Sequence, residues 1–475
     1  MSAVAVIGSG PNGLAAAAVA ARAGLDVTVY EANDTLGGAA RTQPLDGSQA
    51  RFDLGSAVHP MALQSPAMRE LGVLDEVDFI IPELSFAHVL DDRTAYAWRD
   101  LERTAQELGA GGELYSRLLS FLVQRMDELG DTLLNPLLKV PAYPATLAAF
   151  GASTLGGMGL KDLFSAKHER AAALYAGCSA HVAGGSRGPA NAGAGLFLAA
   201  AAHAKGWPIP RGGSQAITDA LAGQVRAHGG RLHTGRRITS LGQLSEDIVL
   251  FDTSAEMAGR IAGNRLPQKL SAALAKTRRS PGSCLVHYVL SEPVPWKDPV
   301  LAQAGTVHLG GTAAQVGRAE REARRRAPGK PFMIVSQPSV FDGSRAPQGR
   351  QVLWAYCHVP LGSPADMSGR IRSMIEAAAP GFGDLVLESH VVTAQGLEKQ
   401  NAALVGGDLS GGTMDLLGSV RRPLVSTDPW YLRSKGLYLV SSAVPPGPSV
   451  HGMGGFLGAK SMLEREFGIS RRNAV

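Results

Sequence analysis

The sequence contains 475 residues, which is more than one ordinary hydrophobic core accommodates, so we expect two domains that share an interface. Apolar residues make up 45% and charged residues 18%, a composition typical of a globular protein. The net charge of +5 is modest, and no aromatic residues interleave with the densest basic stretch, which argues against a nucleic-acid-binding protein.

The amino-terminal stretch "AVAVIGSGPNGLAAAAVAARAGLDVTVYEAN" is the most specific in the chain. It predicts a strand over 3–7, a glycine-rich turn, a helix over 14–23 and a second strand over 27–30 that ends at Glu31. This is a βαβ unit with a GxGxxG turn in the position that a dinucleotide-binding site requires.

Each part of this unit has a physical role in holding a dinucleotide. Gly8 permits the tight turn, Gly10 lets the backbone approach a pyrophosphate, and Gly13 lets the helix pack on the strand. The helix N-terminus directs free N–H groups at the phosphates, and Glu31 accepts hydrogen bonds from the ribose hydroxyls. The predicted cofactor contacts in this unit are Gly8, Ser9, Gly10, Pro11, Asn12, Gly13, Glu31 and Ala32.

The next stretches favour FAD over NAD. "EANDTLGGAART" places Gly38 and Arg41 just beyond the acid, and "FDLGSAVHP" follows at 52–60. A longer cofactor that runs past the pyrophosphate towards a flavin has use for both stretches. We expect Arg41 to pair with a phosphate or to lie close to the flavin, and the backbone of Gly55 and Ser56 to pass close to the ring.

Together these stretches resemble the phytoene desaturase type of FAD-dependent oxidoreductase. "GWPIPRGGSQAITDALAGQVRAHGGRLHTGRRITSL" at 206–241 is similar to the middle block of that family. The blocks at 337–360, 404–417 and 445–455 point to one subgroup within it. The resemblance covers nearly the whole chain and is weaker over about 76–200.

The resemblance implies further cofactor contacts. The middle block implies a backbone contact from Ile238 to the adenine end. "PPGPSVHGMGG" implies a second flavin-binding segment, with contacts from Val450, Gly452 and Met453 and a helix directed at the cofactor. The pattern departs from relatives at Pro448 and Ser449, which replace two flexible glycines, one of them with a residue that fixes φ and has no N–H.

The resemblance also implies an α/β fold in which a Rossmann-type FAD-binding domain interleaves with a substrate domain. The FAD-binding domain is predicted from three blocks, 1–75, 205–275 and 405–475. The substrate domain is predicted from 76–204 and 276–404, as a mixed sheet with helices. Apolar runs at 282–296 and 349–360 suit strands that line a pocket.

Cysteine usage restricts the redox chemistry and the compartment. Cys178, Cys284 and Cys357 lie far apart with no CxxC pair, which argues against disulfides, a zinc site and a dithiol centre. The terminal segment contains no cysteine, so the FAD is expected to be non-covalent. No metal-ligand spacing, secretory signal or bilayer-length apolar run occurs, so we expect a cytoplasmic protein without a metal.

The basic stretch and the histidines of the sequence each allow more than one interpretation. The stretch "RAEREARRRAPGK" at 318–330 predicts a solvent-facing helix or loop, and the alternative is peripheral contact with an anionic membrane. His451 and His59 are the candidate catalytic residues beside the flavin, and the alternative for both is a loop-stabilising hydrogen bond. His181 and His203 are predicted to be structural or pocket-lining, and Asp408 to fix a turn.

The first functional hypothesis is dehydrogenation or isomerisation of an apolar, isoprenoid-like small molecule, with hydride transfer to flavin N5. A flavin amine oxidase is the second hypothesis, and it predicts an aromatic cage that the 6% aromatic content makes sparse. The third is a flavin-binding protein without turnover that acts through protein interactions. The sequence leaves the electron acceptor and the oligomeric state open.

Overall fold

The protein was analysed as a computed structural model that describes residues 3–91, 93–135, 141–159, 168–184, 188–415, 418, 421–423 and 425–471. Leu416 and Leu417, at the end of the block 404–417, lie outside the described residues. Two main sheets organise the described chain, one parallel and one mixed. The stretches that form the parallel sheet were predicted to bind the cofactor, and those that form the mixed sheet were predicted to bind the substrate.

The parallel sheet has five strands in the spatial order β16 (Leu437–Leu439), β10 (Ile248–Phe251), β1 (Ala3–Ile7), β2 (Asp26–Tyr30) and β9 (Arg231–His233). Ile7 at the end of β1 pairs with Phe251 at the end of β10. The chain order reverses between these two strands, and ligands of open α/β sheets bind outside the carboxyl ends of the strands at such a point.

Helices cover this sheet because their small side chains permit close packing. α1 (Pro11–Arg22) begins with proline at its first position and buries ten consecutive residues, most of them alanine. α10 (Gln215–Ala227) and α18 (Met453–Phe467) pack against it. The prediction of buried alanine-rich helices is confirmed for α1 and for α9 (Pro189–Ala204).

The mixed sheet has seven strands in the spatial order β15 (Val386–Val392), β11 (Gly282–Leu290), β14 (Gln351–Val359), β13 (Met333–Ser336), β12 (Ala304–Leu309), β6 (Leu84–Val89) and β7 (Thr94–Trp98). Its neighbours are antiparallel except for β12 and β6. The strands predicted at 282–296 and 349–360 are confirmed as β11 and β14.

The two faces of the mixed sheet differ. Cys284, Val286 and Tyr288 of β11 point to an outer apolar cluster with Ile371 and Ile375. On the opposite, inner face lie aromatic residues and histidines, among them Trp354 of β14 and His308 of β12. α8 (Glu169–Ser179) and α9 pack towards this inner face.

The other helices and two small hairpins complete the described chain. The remaining helices are α2 (Pro66–Glu70), α3 (Val73–Glu76), α4 (Leu101–Leu108), α5 (Gly112–Gln124), α6 (Met126–Leu133), α7 (Pro144–Gly159), α8 (Glu169–Ser179), α11 (Ala255–Ala262), α12 (Gln268–Ala275), α13 (Ala313–Ala323), α14 (Pro338–Phe341), α15 (Ser368–Ala378), α16 (Phe382–Leu385) and α17 (Ala394–Gln400). The hairpins pair β3 (Thr42–Gln43) with β4 (Phe52–Asp53) and β5 (Phe79–Ile80) with β8 (Ile209–Pro210).

The strands of the two main sheets come from separate parts of the chain. The parallel sheet takes its strands from 3–30, 231–251 and 437–439, and the mixed sheet takes its strands from 84–98 and 282–392. The boundaries drawn for the two domains stay a prediction. Among the helices of the described residues, none combines the length and apolar character needed to cross a bilayer.

Candidate functional site

The glycine-rich turn between β1 and α1 has no room for side chains. Gly8 has a φ of 100°, which favours glycine, and a Cβ on Gly13 would lie 2.3 Å from the Gly8 carbonyl oxygen. Gly8, Gly10 and Pro11 keep part of their surface exposed. The turn is therefore closed on its inner side and open on the side where a ligand approaches.

Glu31 lies directly beside this turn. Its Oε2 accepts hydrogen bonds from the amide and the hydroxyl of Ser9, at 3.0 and 2.6 Å. Its Oε1 accepts from the backbone and side-chain nitrogens of Asn33, at 2.8 and 2.9 Å. These four donors fill the usual capacity of a carboxylate, so a ribose hydroxyl would have to replace one of them. The sequence did not predict this bond between Ser9 and Glu31.

Arg41 provides a buried positive charge near the turn. It is 6% exposed, and its guanidinium donates only to the Gly38 carbonyl at 2.9 Å, the Thr35 hydroxyl at 3.3 Å and the Gln400 carbonyl at 3.2 Å. Burial lowers its pKa, and the nearby charge of Glu31 opposes this shift. No carboxylate of the described residues makes an ion pair with Arg41, so this cation fits a phosphate group of a dinucleotide.

Asp252 is a residue of this site that sequence reasoning missed. It follows β10 directly, and its carboxylate lies beside Gly10 and Gly13, near their amides. A Cβ on Gly10 would lie 2.6 Å from Asp252 Oδ2. Burial raises the pKa of Asp252 to about 7, the two amides oppose that rise, and the charge of Glu31 adds to it. The available signal was an acid directly after the apolar run "IVLF".

The position of Asp252 predicts a pH-dependent affinity for FAD. The pyrophosphate is negative and would compete with this carboxylate for the same amides, so its binding raises the pKa of Asp252 above about 7. Binding of FAD is then accompanied by proton uptake. The affinity for FAD therefore falls by up to about tenfold per pH unit above the pKa of Asp252 in the free protein. Fluorescence titration of apoprotein with FAD between about pH 6 and 8.5 measures this dependence.

The variants Asp252→Asn and Asp247→Asn separate this effect from general charge. We expect Asp252→Asn to bind FAD more tightly at alkaline pH and to lose the pH dependence. Asp247 is exposed and precedes the same strand at its other end, so Asp247→Asn should keep the slope of the parent protein. A flat profile in the parent protein would contradict the proposed competition.

The second predicted cofactor segment meets the glycine turn. α18 begins at Met453, with Gly452 at its N-cap in a left-handed conformation. The amide of Gly455 donates to Asn12 Oδ1 at 3.3 Å, and a Cβ on Gly455 would lie 1.7 Å from the Asn12 carbonyl oxygen. The N-termini of α1 and α18 are therefore packed backbone to backbone.

His451 is held in the loop before α18. Its side chain is fully buried, its Nδ1 accepts from the Met453 amide at 3.1 Å, and its carbonyl accepts from the Ser65 hydroxyl at 2.5 Å. Burial lowers its pKa to about 4, against the carbonyls of Pro448 and Gly447. These contacts suit the loop-stabilising alternative, and a catalytic role of His451 stays a prediction.

One altered residue of this loop, Ser449, has a backbone conformation typical of glycine. Ser449 has a φ of 118°, although a serine side chain disfavours that region. Glycine would adopt this φ without strain, so Ser449 holds the loop in a strained backbone conformation. Val450, the next residue, is partly buried against the core around α1.

The segment around Gly55 and Ser56, which was predicted to pass the flavin ring, is hydrogen-bonded to Ser214 at the start of α10. A Cβ on Gly55 would lie 2.7 Å from the Ala39 carbonyl oxygen. His59 Nε2 lies 2.7 Å from the Ser214 hydroxyl, which donates to the Ser56 carbonyl at 2.5 Å. Burial lowers the pKa of His59 to about 4. His59 is thus neutral and fixes the segment, and its predicted catalytic role stays untested.

Ile238 is far from the glycine turn in the sequence, but it follows an edge strand of the same parallel sheet. It is 5% exposed and follows β9, the edge strand next to β2, by five positions. The strand itself ends at His233, so the expected backbone contact would come from the loop beyond it. That contact stays a prediction.

The family follows from a comparison with known proteins. Residues 12–259, more than half of the chain, match the model of the flavin containing amine oxidoreductases. The chain belongs to this family. It is an FAD-dependent oxidoreductase with a Rossmann-type FAD-binding domain.

Individual relatives of this flavin oxidoreductase are distant. A rat protein (Rattus norvegicus), pyridine nucleotide-disulfide oxidoreductase domain-containing protein 2, is 23% identical over 547 residues that cover 95% of this chain and 91% of the relative. It represents the subgroup to which the blocks at 337–360, 404–417 and 445–455 point. The name of this relative refers to a disulfide oxidoreductase domain.

Two solved structures share the fold. Wild-type putrescine oxidase bound to putrescine has a TM-score of 0.53 at 16% identity over 98% of each chain. Reduced UDP-galactopyranose mutase has a TM-score of 0.57 at 13% identity over 100% of this chain and 96% of that one. At these identities the likeness concerns the fold alone.

Dithiol chemistry finds no support in the thiols. Cys284 and Cys357, which are far apart in the sequence, lie opposite each other on β11 and β14. Both are buried and unpaired. Burial raises the pKa of Cys284 to about 11 and that of Cys357 well above its ordinary value, so neither supplies a thiolate.

The chain's own residues would bind and orient FAD. When bound, FAD accepts a hydride and supplies the redox chemistry. The glycine turn and Arg41 would hold its phosphates, and the N-terminus of α18, which packs against the start of α1, would add a positive dipole end beside them. Asp408, predicted to fix a turn, accepts from the Ser410 amide at 2.8 Å and the Ser280 amide at 3.2 Å, so that prediction is confirmed.

The inner face of the mixed sheet adjoins the predicted flavin segment. Ala57 shares an apolar cluster with Leu285, Phe332 and Trp354. The rings of Trp354 and Tyr356 have centroids 4.9 Å apart and planes at 56°. Sequence reasoning predicted pocket-lining strands but not this aromatic pair. A separate cleft of about 1670 Å³ lies on the outer face, beside α13 and α15.

Proposed function

We propose that this flavin oxidoreductase dehydrogenates or isomerises an apolar, isoprenoid-like small molecule, in the manner of the phytoene desaturase type. The apolar cluster around Ala57 and Trp354 carries the proposal, because it lies beside the segment predicted to pass the flavin ring. Glu320, a buried acid at this face, is hydrogen-bonded to His358, so it is not free to pair with a cationic substrate.

Oxidation of an amine is the second candidate. The tilted pair of Trp354 and Tyr356 is the observation that favours it, since two aromatic rings beside a flavin can flank an amine. Aromatic residues are otherwise sparse in the chain. A flavin-binding protein without turnover is the third outcome of the experiment that follows.

Anaerobic reduction of the bound flavin separates the three candidates. Purified holoprotein is mixed with isoprenoids, with amines and with reduced nicotinamides, and the flavin absorbance is followed. We expect bleaching with an isoprenoid and none with amines. Bleaching by amines alone would overturn the proposal in favour of the second candidate. A yellow protein that no compound bleaches and that leaves the isoprenoids chemically unchanged would support binding without turnover, and a colourless protein would contradict all three.

A further inference from the structure

A cleft of about 1670 Å³ lies at the end of the mixed sheet where β6 and β12 finish. Val89 and Leu309, the last residues of these strands, line it together with one face of α13 and one face of α15. Among the described residues, none of the glycine turn or of the predicted flavin segment lines this cleft. It is therefore a candidate site apart from the one that would hold FAD.

The helix α15 has two different faces. Ile371 and Ile375 belong to the apolar cluster on the outer face of the mixed sheet. Arg370, Met374 and Ala378 recur at intervals of four residues, so they share another face of the helix, and they line the cleft. This second face of α15 is thus open to a ligand.

The floor of the cleft is apolar. Ala327, Met374 and Ala378 line the cleft and are partly buried against the apolar cluster that contains Leu301 and Leu309. The parts of these three side chains that stay exposed give a ligand an apolar surface to cover.

Positive charge dominates the rim of the cleft. Of the described residues that line it, six are basic and four are acidic. Two of the acids already have partners. Asp298 Oδ2 accepts from the Tyr96 hydroxyl at 2.5 Å, and Glu322 pairs with the Nε of Arg326 at 2.8 Å. In contrast, three exposed basic side chains of the rim have no hydrogen-bond or ion-pair partner within the described chain, namely Arg318, Lys330 and Lys297.

The basic residues are spread along the cleft and not gathered at one point. The Lys297 amide donates to the Ala378 carbonyl at 3.0 Å, which places Lys297 at the C-terminal end of α15. Arg370, near the other end, donates to the Pro328 carbonyl at 3.0 Å, two residues before Lys330. Arg370 and Ala378 are eight positions apart, about 12 Å along the helix. A ligand that meets both ends must be extended and must carry more than one negative charge.

We propose that the cleft between α13 and α15 is a docking site for an extended, acidic segment of a partner protein. Carboxylates of the segment would pair with Arg318, Lys330 and Lys297, and an apolar side chain would cover Met374. A charged rim around an apolar floor is a surface that suits a peptide segment. The cleft also exceeds the roughly 300–1,000 Å³ of small-molecule sites, which favours a peptide over a free anion. The inference goes beyond the proposed function and does not depend on the reaction.

Fluorescence anisotropy of the holoprotein with labelled peptides tests the site, at about 0.15 M salt so that distant charges are screened. The probe is a peptide of about twelve residues that repeats Glu-Glu-Leu, which is long enough to span the cleft. We expect this peptide to bind and a peptide that repeats Lys-Lys-Leu not to bind. A peptide that repeats Glu-Glu-Ser should bind several-fold more weakly than the first, because it leaves the apolar floor uncovered.

Charge reversal separates the cleft from the basic character of the whole stretch 318–330. The double variant Arg318→Glu/Lys330→Glu should weaken binding of the Glu-Glu-Leu peptide at least about tenfold. Arg321→Glu/Arg325→Glu is the matched control, since both residues are exposed in the same stretch and neither lines the cleft. The control makes the same change in net charge, and its affinity should stay within about threefold of the parent protein.

Absence of binding by the Glu-Glu-Leu peptide, or equal losses in the two double variants, would overturn the inference. ATP and vesicles of phosphatidylglycerol represent the competing occupants, a free polyanion and a membrane surface. Tighter binding of either one than of the peptide, lost in Arg318→Glu/Lys330→Glu, would likewise overturn it. These measurements do not involve turnover, so their failure leaves the proposed function unaffected.

Discussion

Gly13→Ala should weaken FAD binding roughly 100-fold, the largest effect that we expect from a single methyl group in this chain. The new Cβ would lie 2.3 Å from the Gly8 carbonyl oxygen and 2.8 Å from Asp252 Oδ2. Both the Gly8 carbonyl and the Asp252 carboxylate lie on the closed, inner side of the glycine turn. The backbone would have to shift where the pyrophosphate is expected, so binding suffers more than folding.

The measurement is the flavin content of the purified variant together with fluorescence titration of its apoprotein. Gly369→Ala is the matched control, because Gly369 lies in α15 and a Cβ there meets nothing within 4 Å. This control should keep its flavin and gain slightly in stability from helix propensity. Full flavin content and an unchanged FAD affinity in Gly13→Ala would show that the turn does not bind the cofactor.

The amino-terminal unit could be predicted closely because all its signals are local. The strand Ala3–Ile7 has the predicted bounds, and the second strand starts one residue earlier than predicted. The helix starts at Pro11 rather than at residue 14, since proline suits the first helical position. Glycine spacing and apolar periodicity within a short stretch decided all three elements.

Contacts between distant segments could not be predicted in the same way. Glu320 belongs to the Arg and Glu run that predicted a solvent-facing helix, and for this residue the prediction is wrong. The periodicity of α13 turns Val316, Ala319 and Glu320 inward, and only the partner on β14 explains why an acid is tolerated there. Nothing near residue 320 in the sequence indicates His358.

The site was predictable only in part for the same reason. The glycine turn, Glu31 and Arg41 follow from a motif, whereas Asp252 acquires its role from the parallel pairing of β10 with β1. An acid after a strand is common, and its significance depends on which strand lies beside it. The chain-order reversal between β1 and β10 is a property of the sheet and not of any short stretch.

Arg345→Met should lower the free energy of unfolding by about 3–5 kcal/mol, since it breaks a buried ion pair. Arg345 Nη2 lies 2.5 Å from Asp53 Oδ2, and each side chain is 1% exposed. Asp53 also accepts from the Thr42 hydroxyl at 2.6 Å and the Ser214 amide at 2.9 Å. The variant would leave a buried carboxylate with two hydrogen bonds and no countercharge.

The direction in which this loss of stability changes with pH follows from the pKa of Asp53. Burial alone would raise the pKa of Asp53, but Arg345 and the hydrogen bonds outweigh it, so the pKa is lowered in the folded parent protein. A lowered pKa contributes stability above the ordinary value for a carboxyl group, and that stability is lost as pH falls through the folded pKa. Without Arg345 the pKa rises, so the difference between parent and variant should narrow in acid.

Urea unfolding at neutral and at acidic pH measures both effects, and the exposed pair of Arg211 and Asp78 supplies the control. These two groups lie 2.5 Å apart with side chains 53% and 64% exposed, so Arg211→Met should change the stability far less than Arg345→Met at either pH. Asp53→Asn combined with Arg345→Met should recover part of the loss, because the uncompensated charge is then gone. Equal losses in Arg345→Met and Arg211→Met would refute the view that burial makes the first pair costly to break.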